Sequence, residues 1–126
     1  MTSTHKDLIV WQKSMDMAVE IYAITKYFPK SEEFGLVSQM RRAVVSIPSN
    51  IAEGYGRGSR KELQHFLEFS SGSASELETQ LLICKRIELL PAEVVDNLCE
   101  ELKRILKMLS SLISRCKENV SHNRQK

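Results

Sequence analysis

Between Val95 and Cys116 the apolar residues stand at Val95, Leu98, Leu102, Ile105, Leu109, Leu112 and Cys116. Their spacing alternates three and four without a miss, which is a heptad seam on one α-helix. Val94, Cys99, Leu106 and Ile113 widen it, and Pro91 fits the first turn. A helix of this kind cannot bury its seam alone, so the rest of the chain must supply facing helices.

It supplies three. From near Lys6 to about Tyr27, one stripe runs Leu8, Trp11, Met15, Ala18 and Tyr22, and a second runs Val10, Met17, Ile21, Ile24 and Phe28. Two stripes make a face wider than one partner helix covers. Thr4 with Asp7 is a weak capping box ahead of it, and Phe28-Pro29 ends the pattern. PKSEEFG then reads as a turn closed by Gly35. A second helix starts near Leu36, with Met40, Val44, Ile47 and Ile51 as its core stripe. Arg42 points nearly opposite that stripe and Arg41 lies on its flank, while Ser38, Val45, Ser46 and Ser49 share the outer face. Pro48 costs about 3 kcal/mol if the helix continues through it, so a kink, or a break and restart, is expected. Gly54, Gly56 and Gly58 end this helix. Ser59 with Glu62 forms a full capping box that opens a third helix running to about Leu89. Its middle, Ser70-Ser71-Gly72-Ser73-Ala74-Ser75, lets another backbone approach closely, either within the subunit or from a neighbouring one.

The expected fold is therefore all-α: an antiparallel, up-down four-helix bundle, with the second helix kinked or broken at Pro48. Its 126 residues suit one domain, 1–117, followed by a polar tail, 118–126, expected to fray. The first residues turn polar at Gln12 and Lys13, so no signal-peptide core forms, and no window suits a bilayer span. Cys84, Cys99 and Cys116 sit on apolar helical positions, as buried free thiols of a cytoplasmic protein would.

Catalytic chemistry is hard to find in this pattern. His5, His65 and His122 fall on three different elements, and Glu62–His65 matches a di-iron spacing only once. No metal, cofactor or catalytic residue is expected. The serines lie in no strand–turn–helix elbow, and the glycines lack a preceding strand and a Walker lysine. Charge is more informative. Residues 36–61 carry five basic groups and one acidic, net +4; residues 62–102 are net −7; residues 103–126 are net +6. Such blocks can pair internally between antiparallel helices or leave one basic face for an anionic partner. Arg57, Arg60 and Lys61 cluster at a helix start, where free N–H groups favour phosphate, although Glu62 shares the turn.

HKDLIVWQK (5–13), FGLVSQMRRAVVSIPSNIAEGYGRGSRKE (34–62) and ELETQL (76–81) together resemble the bacterial four-helix-bundle family encoded within intervening sequences of large-subunit ribosomal RNA genes. That family was formerly labelled a ribosomal protein. The chain is also similar to the accessory variability protein of diversity-generating retroelements, whose basic ring surface engages nucleic acid and a reverse transcriptase. The resemblance implies a homo-oligomeric ring, a pentamer, and places Arg41 and Arg42 in the motif's arginine pair and Arg57 in its Gly-Tyr-Gly-Arg segment. The chain departs from the pattern at Ile87-Glu88-Leu89-Leu90, where the family more often has a glycine and an aromatic.

Two functions follow as expectations. The first is a non-enzymatic oligomeric bundle that binds RNA or other nucleic acid, with Arg41, Arg42, Arg57, Arg60 and Lys61 as phosphate contacts. The alternative is a protein-interaction scaffold with no nucleic-acid role, its arginines paired to carboxylates. In either case Trp11, Val45, Ser49, Gly72 and Ser73 are the expected interface between copies. Trp11 reads as a core or interface anchor ahead of a ligand-stacking platform.

Overall fold

The structure, a computed structural model, describes residues 4–125, with side chains through Glu118. Four helices carry the fold: α1 (Ile9–Thr25), α2 (Ser38–Gly56), α3 (Arg60–Arg86) and α4 (Ala92–Gln125). Each packs on its neighbours around a ring, α1 on α2 and α4, α2 on α3, and α3 on α4. Cross-helix contacts run in opposite directions along each pair. Met40 meets Cys84 while Ile47 meets Ser70, and Lys85 meets Asp96 while Arg60 lies by Arg115. The bundle is antiparallel and up-down.

The α4 seam is the spine of the core. Val95, Leu102, Ile105 and Leu109 are fully buried, against Met17 and Ile21 of α1, Met40, Ile47 and Ile51 of α2, and Leu67, Leu77 and Leu81 of α3. Each such side chain contributes about 1.5–3 kcal/mol by leaving water. The α4 backbone stays helical past Glu118, where fraying is expected; the side chains of the tail from Asn119, His122 among them, lie outside the described residues.

Several boundaries differ from the sequence reading. The capping box at Thr4 forms, with Lys6 N–H donating to Thr4 Oγ1 (3.2 Å) and Thr4 N–H to Asp7 (3.1 Å). It closes a separate 3-10 turn, His5–Asp7, and Leu8 is extended, so α1 begins at Ile9 rather than Lys6. Only half of the Ser59 box is made: Glu62 N–H donates to Ser59 Oγ at 3.2 Å. Helix α3 ends at Arg86, short of Leu89. Its last carbonyls are taken by a wrapped-back turn in which Leu89 N–H donates to Cys84 O at 2.8 Å. That turn puts Glu88 at φ 60, in the left-handed region.

Helix α2 runs through Pro48 without a break and restart, so of the two outcomes expected there the interruption does not occur. Pro48 is buried and cannot donate to the Val44 carbonyl, but side chains serve the carbonyls beside it. Ser70 Oγ donates to Ile47 O (2.8 Å) and Asn50 Nδ2 to Ser46 O (2.8 Å). The first bond ties α2 to α3, and the second spans the proline within α2. Gly54 does not end the helix either. A Cβ there would lie 3.0 Å from Phe66 Cβ and 3.1 Å from Leu63 Cδ1, so this glycine lets α3 press onto α2. Gly58, at φ +85, makes the turn between them.

Candidate nucleic-acid interface

Antiparallel packing decides which charges meet. The α2–α3 junction lies beside the last turns of α4, and the turn before α1 packs on the end of α2. Lys6, Arg57, Arg60, Lys61 and Arg115 therefore share one end of the bundle. There the two basic sequence blocks add to each other, while Lys103 and Arg104, farther along α4 from this end, pair with Glu100 and Glu101 of the acidic block. Three carboxylates at this end are engaged or flank the helix start: Asp7 closes its own cap, Glu53 binds Arg57 at 3.0 Å, and Glu62 sits in the first turn of α3; Glu118, exposed on α4, follows Arg115 by three residues. Arg60, Lys61 and Arg115 have no carboxylate partner among the described residues.

An open cavity of about 510 Å³ lies in this end, lined by Tyr55, Ser59, Arg60, Leu112, Arg115 and Cys116, with others. The first N–H groups of the 27-residue α3 open beside it, adding positive dipole to the two guanidinium groups. Burial pushes the Tyr55 phenol above its ordinary value, with Cys116 adding and Arg115 opposing. Burial also pushes the Cys116 thiol up, against Arg60. A nucleophilic thiol needs the opposite shift. Cys84 and Cys99 are raised as well, by burial first. Among the described residues no group of three or more His, Cys, Asp or Glu could hold a metal ion.

The structure does not gather all five expected phosphate contacts. Arg41 and Arg42 lie at the far end of α2, roughly 22–24 Å from Arg57 at 1.5 Å per residue. Arg41 is half-buried and engaged: its Nε donates to Thr25 Oγ1 (3.0 Å), its NH2 to Tyr22 O (3.3 Å), and its guanidinium lies 4.4 Å over the Tyr22 ring. It serves as a cap on the C-terminus of α1, where a cation is favoured. Arg42 is exposed and unpaired among the described residues. Arg57 stacks 5.1 Å over Phe66 as well as binding Glu53. Arg115 was not singled out by sequence. The +6 charge of its segment is visible there, but its position beside Arg60 is set by the packing of α4.

The residues expected at an interface divide in the same way. Val45 is 41% exposed, as are Met15 (41%) and Tyr22 (44%) of the first α1 stripe and Val19 (70%) next to it on α1. The second stripe supplies the core. Ser49 is exposed, and Trp11 is half-buried with its ring edge-on to His5 at 5.3 Å. The small patch of α3 packs inside the subunit at Ser70 and Ala74, and Ser73 Oγ donates to Ser46 Oγ at 2.9 Å. Gly72 is exposed, and a Cβ there would meet nothing within 4 Å. No helix among the described residues is long and apolar enough to cross a membrane.

Known proteins similar to the chain agree with this architecture. The family model of the 23S rRNA-intervening sequence protein matches residues 6–111. A crystal structure of a protein of unknown function from the S23 ribosomal protein family of Bacteroides thetaiotaomicron is 28% identical, with a TM-score of 0.78 over 84% of this chain and 96% of that one. No curated protein matches the chain. With the family model spanning most of its length, the chain belongs to the 23S rRNA-intervening sequence protein family.

Proposed function

We propose that this protein is a non-enzymatic, cytoplasmic helical bundle that assembles with copies of itself and binds RNA through phosphate contacts at its basic end. The observation that carries the reading is the meeting of Lys6, Arg57, Arg60, Lys61 and Arg115 at one end, four of them without a carboxylate partner among the described residues. One such end binds phosphate weakly and without sequence preference. Several copies on one ring face raise the affinity through avidity.

Two unlike apolar faces support assembly. One is Met15, Val19, Tyr22 and Val45, bordered by Trp11 and Ser49. The other lies along α3 and the residue that follows it, with Ile83 and Ile87 44% and 55% exposed, beyond Gly72 and Ser73. Different faces meeting head to tail give a heterologous contact, which closes into a ring when the rotation allows; the resemblance suggests five copies.

The scaffold reading is favoured by Arg41 and Arg57, both engaged within the chain. Filter binding of RNA across a salt series separates the two. The RNA reading expects affinity that falls as salt rises, and a shallower slope for Arg60→Glu with Arg115→Glu in a folded protein. Equal affinity in the variant, or no binding at low salt, would leave the scaffold.

A further inference from the structure

Beside the basic end, three rings on the first turns of α3 lie together. His65 and Phe69 have centroids 4.6 Å apart at 66°, Phe66 and Phe69 5.8 Å apart at 76°, and His65 and Phe66 6.4 Å apart at 84°. All three contacts are edge to face, so the rings hold one another's orientation. Phe69 nevertheless remains 49% exposed. Lys61, His65 and Phe69 follow one another at intervals of four residues, so they share one outward stripe of the helix. Lys61 has no carboxylate partner among the described residues, Arg57 lies over the Phe66 ring while it binds Glu53, and Glu68 is bound to Gln64 (2.9 Å). Along the same face comes Gly72, whose missing side chain answers no need for space inside the chain. It leaves a bare step next to the exposed ring.

We infer that Phe69, with His65, is a stacking platform for an unpaired nucleobase, so that the RNA engaged at the basic end is single-stranded there. The inference rests on the nucleic-acid reading above and names the form of the partner. An exposed ring could also meet another protein, but the cations of the same ring cluster, Lys61 about two turns before Phe69 and Arg57 over Phe66, match a chain that carries a phosphate with every base. Bases within a duplex hide their faces in the stack, whereas unpaired bases offer them to aromatic side chains. Phosphates of the same strand would then pass Lys61 and Arg57 while the base lies on Phe69.

Fluorescence anisotropy with a labelled, unstructured oligoribonucleotide and an RNA duplex of the same length tests this on the full chain. The single strand should bind more tightly. Phe69→Ala should weaken it by roughly 5- to 150-fold while leaving the salt slope and the duplex affinity unchanged. Phe69→Trp should keep the affinity, and its added emission should be quenched by the single strand, which guards against a misfolded alanine variant. Lys61→Glu should flatten the salt dependence instead. Equal affinity for both RNAs with no effect of Phe69→Ala overturns the platform and leaves phosphate binding standing. A change in sedimentation on Phe69→Ala with RNA affinity intact assigns the rings to a subunit contact and overturns it too. If neither RNA binds any variant at low salt, the nucleic-acid reading itself fails, and the platform with it.

Discussion

Replacing Gly54 with alanine should destabilise the protein, although alanine is the better helix former. The added methyl would lie 3.0 Å from Phe66 Cβ, 3.1 Å from Leu63 Cδ1 and 3.4 Å from Leu63 O. Carbon atoms in contact prefer about 3.5–4.0 Å. Leu63 Cδ1 can rotate away, but Phe66 Cβ is fixed to the backbone, so α3 must retreat by roughly half an ångström. Such overpacking costs about 1–3 kcal/mol, and the helix preference of alanine returns up to ~1 kcal/mol. The net loss is about 1–2 kcal/mol. Gly56, two residues on in the same helix, is the control: a Cβ there meets nothing within 4 Å. Gly56→Ala should be neutral or stabilise by up to ~1 kcal/mol. Urea denaturation of both variants at one protein concentration, followed by far-UV circular dichroism, gives the comparison as a shift in midpoint at constant slope. The retreat of α3 also moves Arg60 and Lys61, so Gly54→Ala should weaken RNA binding where Gly56→Ala does not. If the two midpoints move in the same direction by the same amount, the close approach at Gly54 is not what holds α2 and α3 together.

Glu88→Gly should raise stability by about 1 kcal/mol, because φ 60 costs a side-chain residue roughly that much; an unchanged melting temperature would mean the turn is unstrained. Arg41→Met should lower stability by about 1–2 kcal/mol, losing the bonds to Thr25 and Tyr22, yet leave the salt slope of RNA binding intact. A drop in that slope would return Arg41 to the phosphate contacts. The Glu101 carboxyl is held below the usual carboxylate range, first by the hydrogen bond from Lys13. A lowered folded value means the contribution is present above the ordinary glutamate range and is lost as pH falls through the folded value. Lys13→Ala should therefore flatten the acid limb of stability, and an NMR titration of Glu101 that is unmoved by the substitution would contradict this. Burial raises all three thiols, so alkylation at neutral pH should be slow until urea opens the bundle, with Cys99, half-buried, reacting first.

Four helices and their core stripes are legible in the sequence because helical periodicity is a local property. The α4 seam, the Ser59 cap and the Met40–Ile51 stripe depend only on residues a few positions apart. The boundaries that shifted, at Lys6, Leu89 and Pro48, depend on competing bonds: the Thr4 turn, the Leu89–Cys84 wrap and the Ser70 hydroxyl from another helix.

The candidate site was legible in part: Arg57, Arg60 and Lys61 stand together at a helix start in the sequence, whereas the place of Arg115 beside them is not visible there. Sequence alone determined that the chain carries two basic blocks separated by an acidic one, and that helices must bury one another. Tertiary structure decided that α4 returns antiparallel beside α3, so Arg115 stands by Arg60 and the basic blocks reinforce at one end. It also decided that Arg41, next to Arg42 in the chain, turns to cap α1. The physical reason is the same in both cases. Charge along a sequence is fixed by covalent order, whereas the partner each charge meets depends on where a rigid helix some tens of residues away comes to rest.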